Sequence, residues 1–128
     1  MPEGGLAIIE RAHRGAVEAQ FYDTLFMALL FKSSLGGLDL LLRGMAVTYA
    51  LTEARTPDLR VGDRTVTTLS DPQAGLRNLM DERTSVYVEE RDLAALGRSA
   101  TDLIPGVRPI SGTVLATRWP EYAQVLYL

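Results

Sequence analysis

The apolar residues of the chain fall into short blocks separated by polar turns, and the blocks alternate between strand length and helix length. Leu6-Ala7-Ile8-Ile9, flanked by Gly4-Gly5 and Glu10-Arg11, has the size and uniform apolar character of a buried strand. His13-Arg14-Gly15 then turns the chain. Residues 16–35 hold neither proline nor glycine, and Val17, Phe21, Thr24, Ala28, Phe31 and Leu35 recur at helical spacing, which predicts one long helix. Ser33-Ser34 and Gly36-Gly37 end it. Leu38, Leu40, Leu41 and Leu42 follow as a second strand, closed by Arg43-Gly44. Strand, helix and strand make a βαβ unit. Continuous rather than alternating apolar character means that both faces of each strand are covered, as in a parallel sheet between helices.

The same alternation runs to the end of the chain. Residues 45–51 predict a short helix, and Asp71-Pro72 opens another through Leu76, Leu79 and Met80, with proline suited to the first helical position. Residues 85–89 predict the third strand, and 90–96 a helix stopped by Gly97. Residues 101–104 are a short turn or helix, and 107–110 the fourth strand. Ser111-Gly112-Thr113 opens a last helix through Val114, Leu115 and Trp119, which Pro120 breaks, and 123–128 form strand five. Between the helices, residues 52–70 are polar, with Pro57, Gly62 and a segment 61–67 that fits a small hairpin or an exposed excursion. The predicted fold is α/β, a three-layer α/β/α sandwich around a five-stranded parallel sheet, in one domain spanning residues 1–128.

Composition narrows the chemistry. The chain has 128 residues, 47% apolar and 23% charged, with no cysteine. That zero excludes disulfide scaffolds, zinc-thiolate and iron–sulfur sites and every cysteine nucleophile, because the thiolate is the reacting atom in each. Thirteen basic against sixteen acidic residues give a net charge of −3. Lys32 is the only lysine, and the arginines are scattered singly between Arg11 and Arg118, so no clustered basic surface recommends nucleic acid. The longest apolar run, Leu25-Phe26-Met27-Ala28-Leu29-Leu30-Phe31, is too short to cross a bilayer, and no charged segment followed by an apolar one opens the chain; a cytoplasmic protein is expected. That run is apolar on every side of its helix. A helix covering a sheet needs only one apolar stripe, so its far side is expected to meet a neighbouring helix or a second copy of the chain.

In open parallel sheets ligands collect at the carboxyl ends of the strands. Those ends carry Glu10, His13 and Arg14 after strand one, and Arg43 and Gly44 after strand two. Glu89, Glu90 and Arg91 follow strand three, and Ser111, Gly112 and Thr113 follow strand four. The candidate binding residues are His13, Arg14, Arg43, Glu89, Glu90, Ser111 and Thr113. Arginine beside glycine suits a small anion, although Arg43-Gly44 can equally be a turn into the next helix. Glu89 and Glu90 are either a tuned acid with its partner or carboxylates complementing the start of the following helix. Ser111 lacks a neighbouring base and reads as a helix cap, and His13, the sole histidine, reads as a solvated loop residue unless chemistry recruits it. No dinucleotide or phosphate-loop fingerprint and no metal-ligand spacing appears, so neither cofactor nor metal is expected.

Glu10-Arg11-Ala12-His13-Arg14-Gly15-Ala16-Val17-Glu18, with Asp23, and then Leu41-Leu42-Arg43-Gly44-Met45-Ala46-Val47, resemble the opening of DsrE/DsrF-like proteins, which include sulfur-relay subunits. Val86-Tyr87-Val88 leading through Leu93 to Gly97, then Asp102-Leu103-Ile104-Pro105-Gly106-Val107 and Ser111-Gly112, are similar to that family's later strands. The resemblance covers nearly the whole chain and is loose over 52–70. It implies a five-stranded parallel sheet assembled as a homotrimer or a hexamer. Sulfur-carrying relatives place a reactive cysteine just after the third strand; alignment through Leu93 and Gly97 puts Glu89 there, and Asp92 where many have a second cysteine. A carboxylate has no sulfur to form a persulfide bond, so sulfur transfer does not carry over.

Three functions remain open on the sequence. One is a homo-oligomer binding a small ligand, such as an anion, or a protein partner at the strand ends. Another is an accessory subunit of a sulfur relay. The last is an enzyme using Glu89 as general acid or base with His13 nearby.

Overall fold

A computed structural model describes residues 4–12, 24–53, 59–66 and 71–128. Five parallel strands form the sheet: β1 (Gly5–Ile9), β2 (Leu38–Leu42), β5 (Val86–Glu89), β6 (Arg108–Ile110) and β7 (Gln124–Tyr127). Their order is β6-β5-β2-β1-β7. Every pairing is parallel, so all five carboxyl ends point the same way. The register is continuous across the centre, with Ile8 opposite Leu41 and Leu41 opposite Tyr87. This is the predicted α/β fold.

Helix α1 (Thr24–Leu35) joins β1 to β2. Of the predicted helix 16–35, residues 16–23 lie outside the described residues. The short helix expected after β2 is a 3-10 helix, Gly44–Ala50, which buries Ala46, Val47 and Ala50. The excursion is a hairpin of β3 (Leu59–Val61) and β4 (Arg64–Val66), turning on Gly62-Asp63 with Gly62 left-handed, as two-residue hairpins favour. Helix α2 (Pro72–Asp81) starts where the sequence predicts, with the Asp71 carboxylate accepting the Gln73 N–H at 3.0 Å. Helix α3 (Glu90–Ala95) follows β5, and α4 (Gly112–Thr117) follows β6. Pro120 does not simply break the last helix: α4 ends at Thr117, and a 3-10 turn, Trp119–Glu121, carries the proline near its start, where its missing N–H costs nothing.

The two faces of the sheet are covered unequally. Ala7, Ile9, Leu40, Leu42, Val86 and Val88 pack under Leu25, Ala28, Val47, Leu76, Leu79 and Leu93 in the larger cluster. Among the described residues, the buried members on the opposite face are Leu6, Ile8, Leu41, Tyr87 and Leu115. There the Arg108 and Arg118 guanidiniums lie over the Tyr87 ring, 5.4 and 5.7 Å from its centre, so aliphatic arms and cation–π contacts do work that a second helix does on the other side. The all-apolar run of α1 buries Leu25 and Ala28, leaves Met27, Leu29 and Phe31 half-buried, and exposes Leu30. No described helix is long and apolar enough to cross a membrane.

Candidate functional site

The carboxyl ends of the central strands open onto a cleft of about 580 Å³. It is lined by Arg43, Glu89, Glu90, Arg91, Asp92, Ala94, Ser111, Gly112 and Thr113. Five of the seven sequence candidates, Arg43, Glu89, Glu90, Ser111 and Thr113, are therefore brought together. His13 and Arg14 lie outside the described residues.

Glu89 is the last residue of β5 and the first boundary of α3, yet its side chain makes no bond to α3. It reaches sideways instead, and Oε1 accepts the Gly112 N–H of the neighbouring strand–helix turn at 3.0 Å. A Cβ on Gly112 would fall onto this carboxylate, so glycine is what lets the two meet. The acid thus complements the start of α4 rather than the helix that follows it. Ser111 occupies the cap position of α4 but its hydroxyl makes no capping bond, and Glu89 satisfies the first N–H of the helix, that of Gly112.

Asp92 repeats the device one turn further along α3. Its Oδ2 accepts the Gly44 N–H at 2.7 Å, in the turn after β2. Gly44 is left-handed at φ 58°, with no room for a side chain to reshape that turn freely, since a Cβ would lie 3.2 Å from the Glu10 carbonyl. Glu89 and Asp92 thus both hold carboxylates that accept a glycine N–H from an adjacent turn. Sequence reasoning recognised the positions but not this use, because the partners lie 23 and 48 residues away.

Arg43 points away from anion duty. Its guanidinium pairs with Glu10, donates to the Tyr127 hydroxyl at 3.1 Å and lies 5.3 Å from the centre of that ring. Burial works to lower its pKa, but Glu10 and Tyr127 together outweigh that and raise it, so Arg43 is a cation at every physiological pH. Glu90, Arg91 and Thr113 remain exposed at the mouth of the cleft. Three exposed apolar side chains lie at this end of the sheet, Met45 next in sequence to Gly44, Val114 next to Thr113, and Tyr127 against Arg43, at 56%, 52% and 58% exposure. Arg91 and Gly112 were named at the strand ends, whereas Asp92 and Ala94 were not; the start of α3 is the local signal that points to them.

No family model matches the chain, and no curated protein is similar to it in sequence. Solved structures do match. The ychN protein from E. coli superposes with a TM-score of 0.73 at 22% identity, covering 98% of this chain and 99% of that one. MTH1491 from Methanobacterium thermoautotrophicum, a protein of unknown function, gives 0.63 at 14% identity over 98% and 99%. BT1422 from Bacteroides thetaiotaomicron, a conserved protein of unknown function, gives 0.62 at 14% over 98% and 95%. The chain shares its whole fold with these proteins.

Proposed function

We propose that this protein is a DsrE/DsrF-like homo-oligomer without sulfur-transfer chemistry, which uses the carboxyl-end cleft to bind a small polar ligand or a polar segment of a protein partner. The observation that carries the reading is the pairing of Glu89 with Gly112 and of Asp92 with Gly44. Carboxylates stand where relatives hold thiols, and their oxygens are engaged in fastening three strand–helix turns together. The cleft keeps its shape and loses its nucleophile.

Met45, Val114 and Tyr127 support assembly through the same end of the molecule. Exposed apolar residues beside a polar cleft are the composition of a contact surface, and a second copy of the chain is the simplest cover for them. Glu89 as general acid or base is the weaker reading, since Oε1 is already bonded to a backbone N–H and no base among the described residues is bonded to it. An accessory place in a sulfur relay remains consistent with thiol positions converted to structure.

Size-exclusion chromatography with light scattering tests the reading. The wild-type chain should run as a trimer or hexamer of its 14.0 kDa unit, and Val114→Arg should shift it toward smaller species. A clean monomer at micromolar concentration contradicts it.

A further inference from the structure

A second cavity, of about 370 Å³, opens at the opposite end of the sheet, where the strands begin. Lys32, Asp39, Glu82, Arg83 and Tyr122 line it together with the glycine turns before β1 and β2. Asp39 is the one polar residue of β2, and both of its oxygens are engaged. Oδ1 accepts the Ser85 N–H at 3.2 Å, and Oδ2 accepts the Tyr122 hydroxyl at 2.6 Å. Nothing comparable reaches Lys32. Its ammonium, in the last turn of α1, is shielded from solvent and has no hydrogen-bond partner among the described residues. A shielded ammonium with no partner among the described residues is costly, and a turn of its flexible stem into the cavity would let the oxygens of a ligand meet it and remove that cost.

Arg83 supplies a second, independent sign. It is the one non-glycine residue with positive φ among those described, at 68°, just past the end of α2, where glycine is the usual occupant. Its N–H bonds the Met80 carbonyl at 3.0 Å, which holds the turn closed. The left-handed turn sets Arg83 in the wall of the cavity, facing the same space as Lys32.

We propose that this cavity binds a compact oxyanion, the carboxylate or phosphate group of a small molecule, with Lys32 as its inner anchor and Arg83 as its outer one. Glu82 and Asp39 on the same walls disfavour extended polyanions, and Asp39 is already occupied by the Ser85 N–H and the Tyr122 hydroxyl. The site is separate from the carboxyl-end cleft and does not depend on its function.

Lys32 is the only lysine, so protein carrying ¹³C,¹⁵N-lysine gives one ε-methylene signal that reports on it alone. Titrating the full chain with inorganic phosphate and, separately, with acetate, at ionic strength held constant with chloride, should move that signal along a saturating curve for at least one of them. Arg83→Gly should weaken that binding by about tenfold while raising Tm by about 4 °C, because glycine adopts the left-handed turn without strain. Lys32→Met should remove the accompanying shifts of the Gly36 and Gly37 amides. If Lys32→Met does not fold, the wild-type lysine signal and Arg83→Gly decide. An unmoved or linearly drifting lysine signal with both anions overturns the site, and unchanged affinity in Arg83→Gly overturns the two-cation anchor.

Discussion

The two ends of one sheet treat their charges in opposite ways. At the carboxyl end Glu89 and Asp92 each hold a glycine N–H, and Arg43 is shared between Glu10 and Tyr127. At the amino end both Asp39 oxygens are bonded, yet Lys32 has no acceptor among the described residues and Arg83 sits in a left-handed turn. Parallel strands bring loop residues together at both ends, and what separates the ends is which groups have protein partners. Charge engaged in this way becomes architecture, while charge left unpaired is available to a ligand. At the carboxyl end the inner carboxylates are tied and Glu90, Arg91 and Thr113 at the mouth are what a ligand meets, whereas at the amino end it is the inner cation that lacks a partner among the described residues.

The largest effect should come from detaching α4 from the thin face. Leu115 is its one fully buried side chain, and Leu115→Ala should cost about 3 kcal/mol in urea unfolding, loosening Gly112 with it. The Lys32 signal at the other end should stay in place; if it moves, the ends are not independent. Glu89→Ala comes next, at about 2 kcal/mol, because it strips a half-buried acceptor from the start of α4.

Tyr122→Phe tests the amino end and should cost about 1 kcal/mol at neutral pH. Burial, followed by the bond to Asp39, pushes the Tyr122 pKa well above its ordinary value. The unfolded chain then loses its phenolic proton first as pH rises, so the stabilisation is whole below about pH 10 and falls above it. Unfolding measured between pH 8 and about pH 11 should decline less steeply in Tyr122→Phe than in wild type. Asp92→Ala should be the mildest, about 0.5 kcal/mol, since its bond to Gly44 is solvent-exposed. An Asp92→Ala loss larger than that of Glu89→Ala would reverse the ranking by burial.

Apolar blocks reveal strands and helices because burial on both faces leaves a local mark, as in Leu6-Ala7-Ile8-Ile9 and Leu40-Leu41-Leu42. Asp71-Pro72 likewise announces α2, since a cap is local chemistry. The parallel order then brings the loop candidates to one cleft. What the sequence hides is who bonds whom across the loops. Glu89 reads as a cap for its own helix and serves another; Ser111 reads as a cap and makes no capping bond. The 3-10 form of Gly44–Ala50 is equally invisible, because its buried residues satisfy either helical period over so short a stretch. The amino-end cavity left two marks that are evident only with the fold in hand: a lone aspartate in a leucine strand and a single lysine at a helix end.

Amide hydrogen exchange at Gly112 and Gly44 tests most directly whether the two carboxylates are structural fasteners. Both amides should be protected in the wild-type protein, with Gly112 losing protection selectively in Glu89→Ala and Gly44 in Asp92→Ala. Exchange at the rate of free amides in the wild type, or protection that survives both substitutions, would contradict the account.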